Sequence, residues 1–260
     1  MAGVWIGTSG WIYDGWRGPF YPVEIPKRRW LGWYGDRFAT TEINGSFYRT
    51  PSFEAVHRWV EETPDGFVFA WKASKFITHW KRLGPSCANS IALMETRLEQ
   101  LGPKLGPVLF QLPARFKVNV ERLESFLPML PPHRRYAFEF RDASWYVPEV
   151  MRSLRGHGVA LCISDHHDAP SPWTVTADHV YIRGHGPDGR YRDNYSNEAL
   201  AEWAARVERW RRSGKDVFVY FDNDVKSAAP QDAARLLALM ASRPKVKPSP
   251  SRAHARPATS

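Results

Sequence analysis

Eight short runs rich in β-branched and aromatic residues recur between residues 4 and 223, most of them separated by enough chain for a helix. They cover residues 4–8, 40–47, 67–73, 108–112, 136–141, 159–164, 179–183 and 217–221. Three of the intervening segments carry helix boundaries in their side chains. Ser52 opens one in which Ala55, Val56, Trp59 and Val60 share a face before Pro64 stops it. Asn119 caps Val120, Leu123, Phe126 and Leu127, and Ser196 precedes Leu200, Trp203, Ala204, Val207 and Trp210, with Gly214 beyond. Strand–helix alternation repeated through most of the chain argues for an α/β fold with a parallel sheet, closed into a (β/α)8 barrel of the TIM type. One repeat is irregular: residues 166–178, between the sixth and seventh strands, contain Pro170 and Pro172 and leave little room for a covering helix. At 260 residues the length alone allows one domain or two, so the repeats decide in favour of a single barrel domain over residues 1–242.

The pleat of each run then says what faces inward. In the third strand Phe67, Phe69 and Trp71 share one side, and Val68, Ala70 and Lys72 the other. The fourth sets Val108, Phe110 and Leu112 against Leu109 and Gln111; the fifth sets Tyr136, Phe138 and Phe140 against Ala137, Glu139 and Arg141. Bulky residues suit the side facing the helices and smaller ones the barrel interior. The interior side turns polar only near the carboxyl ends, which is where barrel enzymes keep their chemistry and where buried polar groups cost least.

The formal charge of +9 raises the question of a polyanionic partner, but five of the 36 basic residues and none of the 27 acids fall in residues 243–260. The rest holds 31 bases against 27 acids, so most of the excess belongs to a Pro- and Ser-rich tail, read as a disordered, solubilising extension, with a nucleic-acid-binding arm as its alternative. A content of 43% hydrophobic residues suffices for a large core. No leader precedes the first strand and no apolar run is long enough to span a bilayer, so no membrane association is expected. Cys87, expected in a loop, and Cys162, expected in a buried strand, suggest neither a disulfide framework nor a thiolate metal site, and the expected compartment is the cytoplasm.

The strand ends carry a recurring pattern: Gly7-Thr8-Ser9-Gly10-Trp11, Trp16, Phe20-Tyr21-Pro22, Glu42-Ile43-Asn44-Gly45-Ser46-Phe47-Tyr48 with Pro51, and Lys72-Ala73-Ser74 with Ile77-Thr78-His79. It continues through Gln111-Leu112-Pro113, Glu139-Phe140-Arg141 with Ser144-Trp145, and Tyr181-Ile182-Arg183-Gly184-His185-Gly186. In order and over nearly the whole chain before the tail, this resembles the YecE-like family, domain of unknown function 72. The resemblance implies a barrel and assigns no reaction. The family pattern pairs asparagines at the end of the eighth strand, where this chain has Asp222-Asn223-Asp224; Asn223 is carried over as a ligand-binding candidate and Asp222 is not.

Glu42 and Asn44 share strand parity, as do Glu139 and Arg141, so the second and fifth strands each present an acid beside a second polar group. Glu42 and Glu139 are therefore acid/base candidates, with mutual neutralisation of acids and cations as the competing reading. Lys72, Arg141 and Arg183 point inward and, left uncompensated, would call for a phosphate or carboxylate; Lys72 is also a candidate for Schiff-base or proton-transfer chemistry. Tyr48 and Gln111 are candidates to orient a substrate. Trp11, Tyr13, Trp16, Trp80, Trp145 and Tyr195 supply aromatic faces near the expected mouth, and Trp145 is counted among the ligand-binding candidates with His185. Asp165-His166-His167-Asp168 and His185 match no metal-ligand spacing, so no metal or other cofactor is expected, although a divalent ion stays open. The leading expectation is an enzyme, hydrolase or lyase, acting on an anionic substrate that is phosphorylated or derived from nucleic acid. A nucleic-acid-binding or nuclease-like barrel, a glycoside hydrolase and a non-catalytic ligand-binding barrel are the alternatives.

Overall fold

The computed structural model describes residues 2–242; the assignment of a tail to residues 243–260 lies outside the described residues. Eight strands pair in parallel in chain order, and the last closes on the first. They are β1 (Val4–Ser9), β2 (Thr40–Ile43), β3 (Val68–Lys72), β4 (Leu105–Gln111), β5 (Tyr136–Glu139), β6 (Ala160–Ser164), β7 (His179–Gly184) and β8 (Asp216–Phe221). Around them run α1 (Trp30–Gly35), α2 (Gly45–Tyr48), α3 (Phe53–Glu61), α4 (Ala88–Leu98), α5 (Val120–Phe126), α6 (Pro148–Gly156), α7 (Asn197–Arg212) and α8 (Ala228–Ala241). No helix lies between β6 and β7, as the two prolines there imply.

The caps read from the sequence hold the helices in place. Ser52 Oγ accepts from the Ala55 amide, Asn119 Oδ1 from the Arg122 amide (2.8 Å) and Ser196 Oγ from the Ala199 amide (3.1 Å). Gly214, with φ of +85°, takes the left-handed conformation just past α7 that a side chain would resist.

Two packed layers result. Phe67, Phe69, Trp71, Val108, Phe110, Leu112, Tyr136, Phe138 and Phe140 join one apolar cluster with helical residues such as Val56, Phe126 and Trp203. Inside the barrel, Ala70, Leu109, Ala137, Ala160 and Cys162 fill the space around Tyr181, Tyr220 and Phe218. Small residues from the middle strands make room for large ones from β7 and β8. The interior is therefore solid and the polar ends of the strands rest on an apolar plug.

The structure corrects the length of the second strand. It ends at Ile43, and Asn44 turns helical (φ −85°, ψ −28°) to lead into α2, so Asn44 reaches the mouth from a turn and not through strand parity with Glu42. Ser46 fixes the exit by donating its hydroxyl to Lys72 O at the end of β3 (2.6 Å). Cys87, expected in a loop, is fully buried in a short 3₁₀ turn ahead of α4, and Cys162 is buried within β6; both are free thiols. No described helix is long and apolar enough to cross a membrane.

Ala137 has no solvent exposure and sits within the interior plug. Ala137→Leu is expected to lower unfolding free energy by about 1–3 kcal/mol in urea titration, because the added carbons have no void to enter. An unchanged midpoint would show that the interior is not close-packed.

Candidate functional site

The carboxyl ends of most strands deliver polar side chains to a layer at the mouth of the barrel. Ser9 of β1 lies opposite Glu42 of β2, Gln111 of β4 opposite Glu139 of β5, and Ser164 of β6 opposite Arg183 of β7. Arg183 occupies the centre. Its Nη1 donates to Glu139 Oε2 (2.9 Å), and its Nη2 lies 3.0 Å from Glu42 Oε1, 2.8 Å from Asp222 Oδ2 and 2.8 Å from Ser9 Oγ. Glu42 also accepts from the Ser9 hydroxyl and from Tyr181 OH (2.6 Å). Arg141, just beyond β5, forms an ion pair with Glu139 Oε1 (2.8 Å) and donates to Tyr191 OH (2.6 Å). Arg141 and Arg183 each approach His185 Nε2 at 3.1 Å. Guanidinium groups can only donate, so His185 Nε2 carries the lone pair, and Nδ1 carries the proton shared with Asp165 Oδ1 (3.2 Å).

The electrostatics follow from this packing. Burial alone would raise the Glu139 pKa, but Arg141 and Arg183 outweigh it and hold the carboxyl well below its usual range. Burial holds the His185 pKa well below its usual value, so the imidazole is neutral. Asp222 is pushed up by burial against the opposing pull of Arg183. Lys72 is lowered to about 8, first by burial and then by Arg183.

Above this layer lies a cavity of about 630 Å³, lined on its polar side by Asn44, Lys72, His79, Gln111, Tyr191, Asp222 and Asp224, and on its apolar side by Trp11, Tyr13, Phe47, Tyr48 and Trp59. Gly10, whose φ is +85°, turns the chain out of β1 at the cavity wall while its amide donates to Glu42 O (2.8 Å). Lys72 is 9% exposed and its Nζ sits 4.6 Å from the centre of the Phe47 ring. No described residue gives that ammonium a hydrogen bond or an ion pair. Asp224 is pushed up to about 6 by burial and by its neighbour Asp222, and His79 is held down to about 4 by burial and Lys72.

The residues singled out in the sequence divide into three groups. Lys72, Asn44, Gln111 and Tyr48 line the cavity, the last at its rim with 71% exposure. Glu42, Glu139, Arg183 and His185 have no exposure at all and form the layer beneath, with Arg141 nearly as buried. The expectation that the three cations stand uncompensated is corrected for Arg141 and Arg183: the charge of each is paired with the protein's own carboxylates through its Nη groups, while the Nε of each is buried without a partner. Two residues face elsewhere. Trp145 stacks on Phe140 with centroids 4.8 Å apart and donates Nε1 to Phe116 O (2.6 Å), which places it between sheet and helices. Asn223 is buried, donating to Asp232 Oδ2 (2.8 Å) and Asp193 O (2.7 Å), and ties the end of β8 to α8. Among the other aromatic residues, Trp11 and Tyr13 line the cavity, Trp16 is buried, Trp80 is 67% exposed, and Tyr195 donates its hydroxyl to Asp165.

Sequence reasoning missed Asp222, Asp224, Tyr191, His79 and Ser9. Ser9 was within reach, because it is the next inward position after Gly7 on β1. Asp224 and Tyr191 lie on loops, where no periodicity points them anywhere. His166, His167 and Asp168 bring one donor atom each within 4.8 Å of one another in the loop after β6; His167 Nε2 is 3.1 Å from Asp168 Oδ1. They are the described residues able to hold a metal ion, and none of them lines the main cavity.

An eight-stranded parallel barrel is a TIM-type barrel, and its ligand-sized cavity lies at the carboxyl ends of the strands, the end at which such folds place their sites. The chain belongs to the family described as "Protein of unknown function DUF72", whose model matches residues 5–256. It is 26% identical to UPF0759 protein YunF of Bacillus subtilis (strain 168), over 91% of this chain and 94% of that one. It is also 26% identical to UPF0759 protein YecE of Escherichia coli (strain K12), covering 86% and 88% of the two chains. The crystal structure of a DUF72 family protein from Thermotoga maritima MSB8 superposes with a TM-score of 0.84 at 28% identity, over 92% of this chain and 99% of that one.

Glu139→Gln leaves two buried guanidinium groups short of a negative charge and is expected to cost about 3 kcal/mol or more at neutral pH. The wild-type carboxyl titrates below its ordinary 4.5 in the folded state, so its contribution is full above that value and is lost as pH falls through the depressed folded value. Urea midpoints measured from pH 7 down to pH 3 should therefore show a shallower acid limb for the variant; parallel limbs would remove Glu139 from the charge balance.

Proposed function

We propose that this chain is an enzyme that binds a small anionic substrate in the mouth cavity, with Lys72 holding the anionic group and Asp222 exchanging a proton with the substrate. Phosphorylated and nucleic-acid-derived compounds are the substrate class this chemistry suits. The observation that carries the reading is that Lys72, alone of the three strand-end cations, has no carboxylate or hydrogen-bond acceptor on its charged group and fronts the cavity. A buried ammonium without a partner is costly, and an incoming anion relieves that cost. Asp222 lines the same cavity while held by Arg183, and burial pushes its carboxyl above the ordinary range, the direction that favours its taking up a proton from a substrate. Glu42 and Glu139 act in this reading as positioning residues, through Arg183, because neither reaches the cavity surface. Their burial also weighs against a glycosidase pair, which needs two carboxyl groups flanking a bound sugar.

A single-stranded nucleic acid is the second reading, favoured by the rim. Tyr48 and Trp80 are exposed there, and Lys75 Nζ lies 5.3 Å and 5.8 Å from their ring centres. Anisotropy with a short single-stranded oligonucleotide should then show affinity falling steeply between 50 and 200 mM salt, by about tenfold or more. No association at low salt removes this reading and leaves the small-molecule one.

Sulfate, whose charge is constant across the range, is the probe for Lys72. Calorimetric titration should show binding at pH 7 that weakens as pH rises through about 8, where the ammonium loses its proton, and that falls about tenfold or more in Lys72→Met. Equal affinity in the variant, or no binding by the wild type, would overturn the assignment.

A further inference from the structure

The cavity has unmet hydrogen bonds of two opposite kinds, and their positions restrict what can fill it. On the β3 side stands the unpartnered donor, Lys72 Nζ. On the β8 side the half-buried carboxylate of Asp224 accepts no hydrogen bond or ion pair from any other described residue. In the closed ring β1 and β2 lie between β3 and β8, so these charges face the cavity from different sides.

Asn44, at the end of β2, adds an acceptor. Its Nδ2 donates to Ser9 Oγ (2.7 Å), and its Oδ1 is buried with no partner. The orientation of this amide is fixed by proton counting. Ser9 gives its single hydroxyl proton to Glu42 and accepts from Arg183, so it has none left to offer Asn44. Asn44 must turn its NH₂ group to Ser9 and its carbonyl away. A buried carbonyl left without a donor costs about 1–3 kcal/mol, and because this oxygen has almost no exposed surface, a ligand hydroxyl or ammonium recovers that cost only by drawing the Asn44 side chain toward the cavity it lines.

Resting on the reading of Lys72 as the anion holder, we propose that the cavity selects anions that also carry hydroxyl or ammonium donors, which Asp224 receives on the β8 side and Asn44 at the end of β2, next to the strand of Lys72. Phosphorylated sugars and amino sugars have this chemistry. The phosphate meets Lys72, the donor-bearing ring meets Asn44 and Asp224, and the flat faces of Trp11 and Tyr13 line the same space. Asp224 is then a specificity-determining residue: it repels a simple dianion and accepts only ligands that bring protons to it.

Calorimetric titration of the full chain with inorganic phosphate, glucose, glucose 6-phosphate and glucosamine 6-phosphate tests this. Both sugar phosphates should bind about tenfold or more tightly than phosphate, with glucose weakest. A preference for glucosamine 6-phosphate identifies an ammonium opposite Asp224, and equal binding identifies hydroxyl groups. Asp224→Asn should abolish most of the advantage over phosphate and raise phosphate affinity, because the repelling charge is gone; Asp224→Ser, with the same expectation, guards against a folding defect, and thermal melts verify both. If phosphate binds but the sugar phosphates bind no better, or if both Asp224 variants keep the full advantage, the selectivity proposal fails and the role of Lys72 stands. If none of the anions binds the wild type, the role of Lys72 fails as well.

Discussion

One guanidinium group holds the mouth of this barrel together. Arg183, on β7, reaches carboxylates that follow or belong to three other strands: Glu42 on β2, Glu139 on β5 and Asp222 after β8. A buried arginine is tolerable only when its charge is matched, and here the closed sheet supplies the carboxylates and directs both Nη groups, leaving only Nε without a partner. Strand closure and charge pairing therefore depend on each other. The sheet must close for acids from distant strands to meet one cation, and without that cation their mutual repulsion would disfavour the closed mouth.

That pairing also decides which groups are left for chemistry. Glu42, Glu139 and Arg141 are consumed in the layer around Arg183, and neutral His185 accepts from both arginines at once. What remains at the cavity is a lysine with no carboxylate partner, an aspartate at the edge of the network, a second aspartate that accepts nothing from other residues, and an asparagine whose buried carbonyl has no donor. The buried layer thus forms a floor, and under the proposed function selectivity belongs to the residues just above it. The loop after β6, with His166, His167 and Asp168, stands apart from this floor.

Much of the architecture was legible because the signals are local. The eight strands follow from apolar runs, the inward set follows from the period of two, and the caps at Ser52, Asn119 and Ser196 follow from single side chains. Two features were hidden for physical reasons. The exit from β2 at Asn44 is made by a bond from Ser46 to the neighbouring strand, while Phe47 continues an apolar alternation that reads as more strand. The charge pairing of Arg183 joins residues 141 positions apart, so it required knowing which strands face one another across the ring. Trp145 shows the same limit from the other side: an aromatic residue after a strand reads alike whether it lines a cavity or packs beneath a helix, and only packing against Phe140 distinguishes the two.

A crystal structure of the protein soaked with tungstate, a heavy tetrahedral dianion, would locate the anion site at once. The division of labour described above places the anion against Lys72 Nζ within the cavity, with Arg183 still bonded to Glu42, Glu139 and Asp222. Tungstate seated on Arg183 in place of one of those carboxylates, or bound only away from the mouth, would contradict it.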